Sequence, residues 1–170
     1  KGRLWPGLPA VLPMPFLVVL HLPRAPPSHI AELLDARGAL PVREADDKHP
    51  LLPGTVPTAP PAYPLLVKTR HSLALSMDAP VLFSRPAIDL LFESAADVFG
   101  ERLLAILLTG ASSDGSAGVA AVRAVGGTAW IQRPDDAAAS LMPASALAHA
   151  GADAVLTLQA ICTRLEAFHA

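Results

Sequence analysis

The chain has 170 residues, of which 52% are hydrophobic, enough to bury one core without disulfides or a structural metal, so one domain over 1–170 is expected. Thirteen basic and 15 acidic side chains leave a formal charge of -2, which excludes the basic field of a nucleic-acid binder and gives no acidic tail. The single cysteine, Cys162, excludes an internal disulfide and fits a reducing, cytoplasmic setting.

In chain order, the apolar run Phe16 to Leu20 is rich in β-formers and reads as a strand covered on both faces, ending at His21. It is too short to cross a bilayer, and the prolines at 6, 9, 13 and 15 spoil any longer span, so membrane insertion is not expected. Neither does the Lys-Gly-Arg start lead into the clean apolar core and cleavage site of a signal peptide. Ser28 is placed to cap a helix through about Ala36 that Gly38 closes, and Leu40 to Glu44 reads as extended. From Asp46 to Ser76, Pro-Gly turns and short β-like pieces at Leu65–Val67 and Leu73–Ser76 predict a small hairpin excursion.

The clearest helix starts near Ser84 with proline in its first turn and spaces Ile88, Leu91, Phe92, Ala95 and Phe99 at the helical period before Gly100. A second two-sided strand, Leu103 to Leu108, leads through the turn Thr109 to Gly115 into a helix ending near Val125. Gly127 to Gln132 is a third strand. A helix from Pro143, an apolar run at Ala154–Leu158 and a last helix from Gln159 follow. This alternation predicts an α/β fold, doubly wound, with a mainly parallel sheet flanked by helices.

In such sheets chemistry collects at the carboxyl ends of the strands, where His21 and Asp114 are placed. A histidine at a strand end and an aspartate in a glycine-containing turn are two parts of a serine-hydrolase triad, in which imidazole takes a hydroxyl proton and the carboxylate fixes its tautomer. Plainer readings stand beside this one: Asp114 could cap the helix that follows it, and His21 could be a hydrogen-bonded residue at the core boundary. The other histidines, at 29, 49, 71, 149 and 169, lack metal-ligand spacing. The glycine turn could cradle a phosphate, yet matches neither the P-loop nor the dinucleotide-binding pattern.

Several segments in order carry a family resemblance: Val18 to Pro23 with His21, Val42 to Asp46, Leu52 to Gly54 followed by Ala59 and Pro60, Arg85-Pro86-x-x-Asp89-x-Leu91-Phe92, and Leu108-Thr109-Gly110-x-x-x-Asp114-Gly115. Gly126 and Gly127, Ala138 to Pro143 and Asp153 to Leu156 continue it. The set resembles the catalytic domain of the chemotaxis-receptor methylesterase (CheB-type) family from about Leu8 onward. The resemblance implies a protein-glutamate methylesterase that hydrolyses glutamyl methyl esters, and in many members deamidates glutamines, on the cytoplasmic domain of methylated chemoreceptors, with no metal or organic cofactor. It makes His21 the catalytic histidine and Asp114 the triad aspartate. Ala111 falls at the oxyanion position, where a backbone N–H acts, within the turn that Gly110 begins.

The chain departs from that pattern in one decisive place. The family's serine follows an earlier first strand, expected at the middle of the sheet, in a Gly-x-Ser turn, and no serine, threonine or cysteine occurs from Lys1 to Leu20. Ser112 and Ser113 lie on the aspartate's own turn, and Ser28, Ser140 and Cys162 are weak substitutes. Pro57 and Pro64 stand where the resemblance leads one to expect an aromatic and a histidine in extended segments, and no phospho-acceptor receiver domain is expected within these 170 residues. The expectation is an N-terminally incomplete esterase domain whose serine lies upstream. The alternative is an inactive adaptor of the same fold that binds a receptor or methyltransferase.

Overall fold

A computed structural model describes residues 12–21, 29–61, 63–76 and 87–169. In order these form α1 (Ile30–Asp35), β1 (Val42–Glu44), β2 (Val56–Thr58), β3 (Leu65–Thr69), β4 (Ser72–Leu75) and α2 (Ala87–Phe99). After a 3-10 turn come β5 (Leu104–Leu107), α3 (Ser116–Ala124), β6 (Thr128–Gln132), α4 (Leu141–Ala150), β7 (Ala154–Leu156) and α5 (Leu158–Glu166). The fold is α/β. β5, β6 and β7 pair in parallel in sequence order, β1 and β2 pair in parallel, and β3 and β4 form the antiparallel hairpin.

Alternation along the strands divides the core into two layers. Leu104, Ile106 and Trp130 turn to one face, where Ala31 and Leu34 of α1 and Ile161 and Leu165 of α5 cover them. Leu107, Ala129 and Ile131 turn to the other, against Ile88 of α2, Val119 of α3 and Met142 and Ala146 of α4. Period-2 strands between helices on both sides are the doubly wound arrangement. Among the described residues, no helix is long and apolar enough to cross a membrane.

Element boundaries differ from the sequence expectation in instructive places. The N-cap of α1 is His29, with no side-chain cap, while Ser28 lies outside the described residues, as do Ser84 to Pro86 before α2. α4 begins two residues ahead of Pro143, which the first turn accommodates because its N–H has no helical acceptor there. The last helix starts at Leu158, capped by Thr157 Oγ1, which accepts from Ala160 N at 3.2 Å.

Phe16 to Leu20 is not a full ladder strand. It makes one isolated parallel bridge, Val18 to Thr58, through Val18 N to Pro57 O at 3.2 Å and Ala59 N to Val18 O at 3.3 Å. The next step of a parallel ladder would need the residue at 57 to donate to residue 16, and proline has no N–H. Residues 16–19 are therefore half-buried rather than covered on both faces. β2 accepts Pro57 on this side alone: its β1 side is bonded through Val56 N to Pro41 O and Ala45 N to Thr58 O.

Candidate active site

His21 follows the Phe16–Leu20 segment, and Asp114 ends the turn that leaves β5. Their side chains meet with His21 Nε2 2.7 Å from Asp114 Oδ2. The aspartate is 7% exposed and the histidine 39%, so a buried carboxylate holds a ring that reaches the surface. Nε2–H donates to the carboxylate, which leaves Nδ1 as the ring's lone-pair acceptor. This is the orientation a general base requires.

Asp114 is fixed by more than the histidine. Its Oδ2 accepts from Ile88 N and its Oδ1 from Asp89 N, both at 2.9 Å. These are first-turn N–H groups of α2, which have no acceptor within their own helix. The capping role read for Asp114 thus falls on α2 and not on the helix that follows it. α3 has Gly115 as its N-cap with no side-chain cap, and its Gly118 N donates instead to Asp89 Oδ1 at 2.7 Å. Two aspartates therefore cap each other's helices. Gly118 permits the approach: a Cβ there would lie 2.6 Å from Phe92 Cβ and 3.1 Å from Asp89 Cα.

The carboxyl of Asp89 is pushed above its ordinary range mainly by burial. The N–H groups of Gly118 and Gly115 oppose the shift, and the neighbouring Asp114 adds to it. Glu93, one turn along α2, is also raised, first by burial and then by Asp89, Asp97 and Asp114. Negative charge is concentrated behind the histidine.

The remaining turn is tied down by the loop before α4. Thr109 Oγ1 donates to Ala139 O at 3.1 Å and stands 2.8 Å from Ala139 N, Gly110 N donates to Ala139 O at 3.1 Å, and Met142 N donates to Gly110 O at 3.0 Å. A Cβ on Gly110 would fall 2.4 Å from Met142 Cε. Gly110 thus serves the turn, with its N–H already engaged. Ala111 is exposed, and no acceptor takes its N–H among the described residues. Behind them, Gln132 Oε1 accepts from Thr109 N at 2.9 Å, and its Nε2 donates to Asp136 Oδ2 at 2.9 Å.

The other hydroxyls and the thiol have different surroundings. Ser112 Oγ accepts from Asp114 N at 3.4 Å, a turn bond. Ser140 is the N-cap residue of α4 without a side-chain cap bond. Cys162 is 4% exposed, and burial, then Glu166, pushes its thiol up, away from the thiolate a nucleophile needs. No group of three or more His, Cys, Asp or Glu side chains suited to a metal occurs among the described residues. Asp89, Gln132 and Thr109 had no assigned role in the sequence reading. The available signal was that Asp89 and Thr109 stand in the two motifs that carry the family resemblance.

Comparison with known proteins sets this geometry in a family. Residues 2–165 match the sequence profile of the CheB methylesterase family. A relative from Leptospira interrogans is 36% identical over 156 residues, 92% of this chain and 81% of the relative. A Symbiobacterium thermophilum protein named protein-glutamate methylesterase/protein-glutamine glutaminase is 43% identical over 122 residues, 72% of this chain and 34% of its own length. The matched stretch therefore spans about a third of that relative's length. The crystal structure of the Thermotoga maritima CheB methylesterase catalytic domain superposes with a TM-score of 0.86 at 30% identity, over 94% of this chain and 86% of that one. With the profile, the relatives and the superposed structure in agreement, the chain belongs to the CheB methylesterase family.

Proposed function

We propose that the chain forms the body of a protein-glutamate methylesterase that hydrolyses glutamyl methyl esters, and deamidates glutamines, on the cytoplasmic part of chemoreceptors. The observation that carries this reading is the 2.7 Å contact between His21 Nε2 and the buried Asp114 carboxylate, which assigns the base role to Nδ1. The family names supply the substrate class. A cytoplasmic setting fits the buried free thiol of Cys162.

In this reading a serine hydroxyl attacks the ester carbonyl carbon and passes its proton to His21 Nδ1. Asp114 stabilises the imidazolium that forms, and the N–H of Ala111 faces the developing oxyanion. As the tetrahedral intermediate collapses, the imidazolium proton goes to the departing methoxide, which leaves as methanol. Water then repeats the sequence on the acyl-enzyme and releases glutamate; with a glutamine substrate the leaving group is ammonia.

The attacking hydroxyl in this reading is one that residues 1–20 do not supply, since they contain no serine, threonine or cysteine. The Phe16–Leu20 segment packs with β5 through apolar side chains. Val19 packs in the same apolar cluster as Leu107 of β5, and Phe16 and Val18 share another with Leu104 and Ile106. Yet the Phe16–Leu20 segment and β5 are not paired with each other among the described residues.

Methanol release from methyl-esterified receptor membranes tests the reading, with this chain set beside a form extended upstream to include a Gly-x-Ser turn. The extended form is expected to be active and to lose about 10³-fold or more with His21→Ala. An inactive extended form that still binds receptor would overturn the esterase reading in favour of an adaptor.

A further inference from the structure

We infer that Asp89 is a positioning residue for the His21–Asp114 pair, acting by bracing the start of α3 so that the Asp114 carboxylate stays in line with the imidazole. The inference rests on the esterase reading for its meaning, but its geometry is independent of it.

The argument starts from what fixes Asp114. Its backbone precedes Gly115, the N-cap of α3, which offers no side-chain cap of its own, so the path of that first turn decides where the carboxylate points. No side chain of α3 itself satisfies that turn. Gly118, the third helical residue, donates instead to Asp89 Oδ1 at 2.7 Å, a short bond to a carboxylate acceptor. Asp89 belongs to α2, whose own first turn donates through Ile88 N and Asp89 N to Asp114. Each carboxylate is thereby held by the backbone that the other one fixes, and Asp89 sits one bond removed from the imidazole without touching it.

Two consequences separate bracing from general support of the fold. The role requires an acceptor oxygen at 89, not a charge, so Asn can fill it and Ala cannot. And the effect must be read at His21, more than one residue away, with the backbone elsewhere unchanged.

The experiment is NMR on the uniformly ¹⁵N-labelled chain, following the exchange of the His21 Nε2–H proton, with Asp114→Ala as the variant that removes its acceptor. Asp89→Ala is expected to speed that exchange about tenfold or more, the equivalent of one lost charge-assisted hydrogen bond. Asp89→Asn is expected to stay within about twofold of the parent, because its side-chain oxygen still accepts from Gly118. Should Asp89→Ala fail to fold, Asp89→Ser, which keeps a good first-turn residue but lacks the reach, takes its place with the same expectation. Parent-like exchange in the Ala or Ser variant overturns the inference, as does an Asn variant as fast as Ala. Failure of the methanol assay with this pattern intact would remove the esterase reading and leave the bracing standing; methanol release with parent-like exchange in Asp89→Ala would do the reverse.

Discussion

Gly115→Ala places the turn under the most direct test. Gly115 has φ +96°, a left-handed conformation that an L side chain adopts at a cost of about 1–2 kcal/mol. The added Cβ would also lie 2.7 Å from Leu107 Cδ1 and 3.0 Å from Ile88 Cγ2. Both neighbours are core residues, 2% and 8% exposed, and cannot swing into solvent. Overpacking of this kind adds about 1–3 kcal/mol, so the whole loss should be about 2–5 kcal/mol. Gly100→Ala is the internal reference: its φ is also positive, at +56°, but nothing lies within 4 Å of a Cβ there. Urea unfolding of the two variants, with an unchanged slope, should show Gly115→Ala the weaker by the overpacking share. Because Ile88 N donates to Asp114, pressure on Ile88 also reaches the pair. Equal stabilities for the two variants would refute the steric reasoning.

Thr109→Val removes both hydrogen bonds between Thr109 Oγ1 and Ala139 at constant volume. A loss of about 1–3 kcal/mol in thermal or urea unfolding is expected, with faster amide exchange at Ala139. Asp89→Asn has a pH signature. The folded-state pKa of Asp89 is raised, so ionising it opposes folding: relative to its Asn variant, the parent loses stability as pH rises from the ordinary value of 3.8 through the raised one. The melting-temperature advantage of Asp89→Asn should therefore be absent below that window and greatest above it, and a difference that shrinks with rising pH would contradict the burial of the charge.

Much of the architecture was legible because it is local. The spacing of Ile88, Leu91, Ala95 and Phe99 announces α2, and continuous apolar runs announce β5 and β6, since both of their faces are buried. β2 escaped for a physical reason: proline at its centre reads as a strand breaker, yet its missing donor faces the one side where the ladder lapses. The same residue explains why Phe16–Leu20, read as a buried strand, makes only a bridge. Strand-end placement singled out His21 and Asp114, family resemblance assigned each its triad role, and their contact is a long-range fact that no local pattern encodes. The exchange of caps between α2 and α3 lay beyond reach for that reason. Spacing suggested that Asp114 would serve its own helix, because a cap taken from another helix leaves no trace in the local sequence.

The reciprocal capping also bears on when the site comes into being during folding. A first helical turn is the costly part of a helix to form, and here that of α2 is completed by Asp114 in the turn entering α3, and that of α3 by Asp89 of α2. While the chain emerges during synthesis, α2 precedes α3 and must wait, its leading N–H groups solvated, until the later segment arrives. A collapsed intermediate could hold nearly all its helices and strands and still present His21 with no partner. Spectroscopic helix content and the His21–Asp114 contact should therefore be acquired at different moments, the second marking the instant at which the two helices lock.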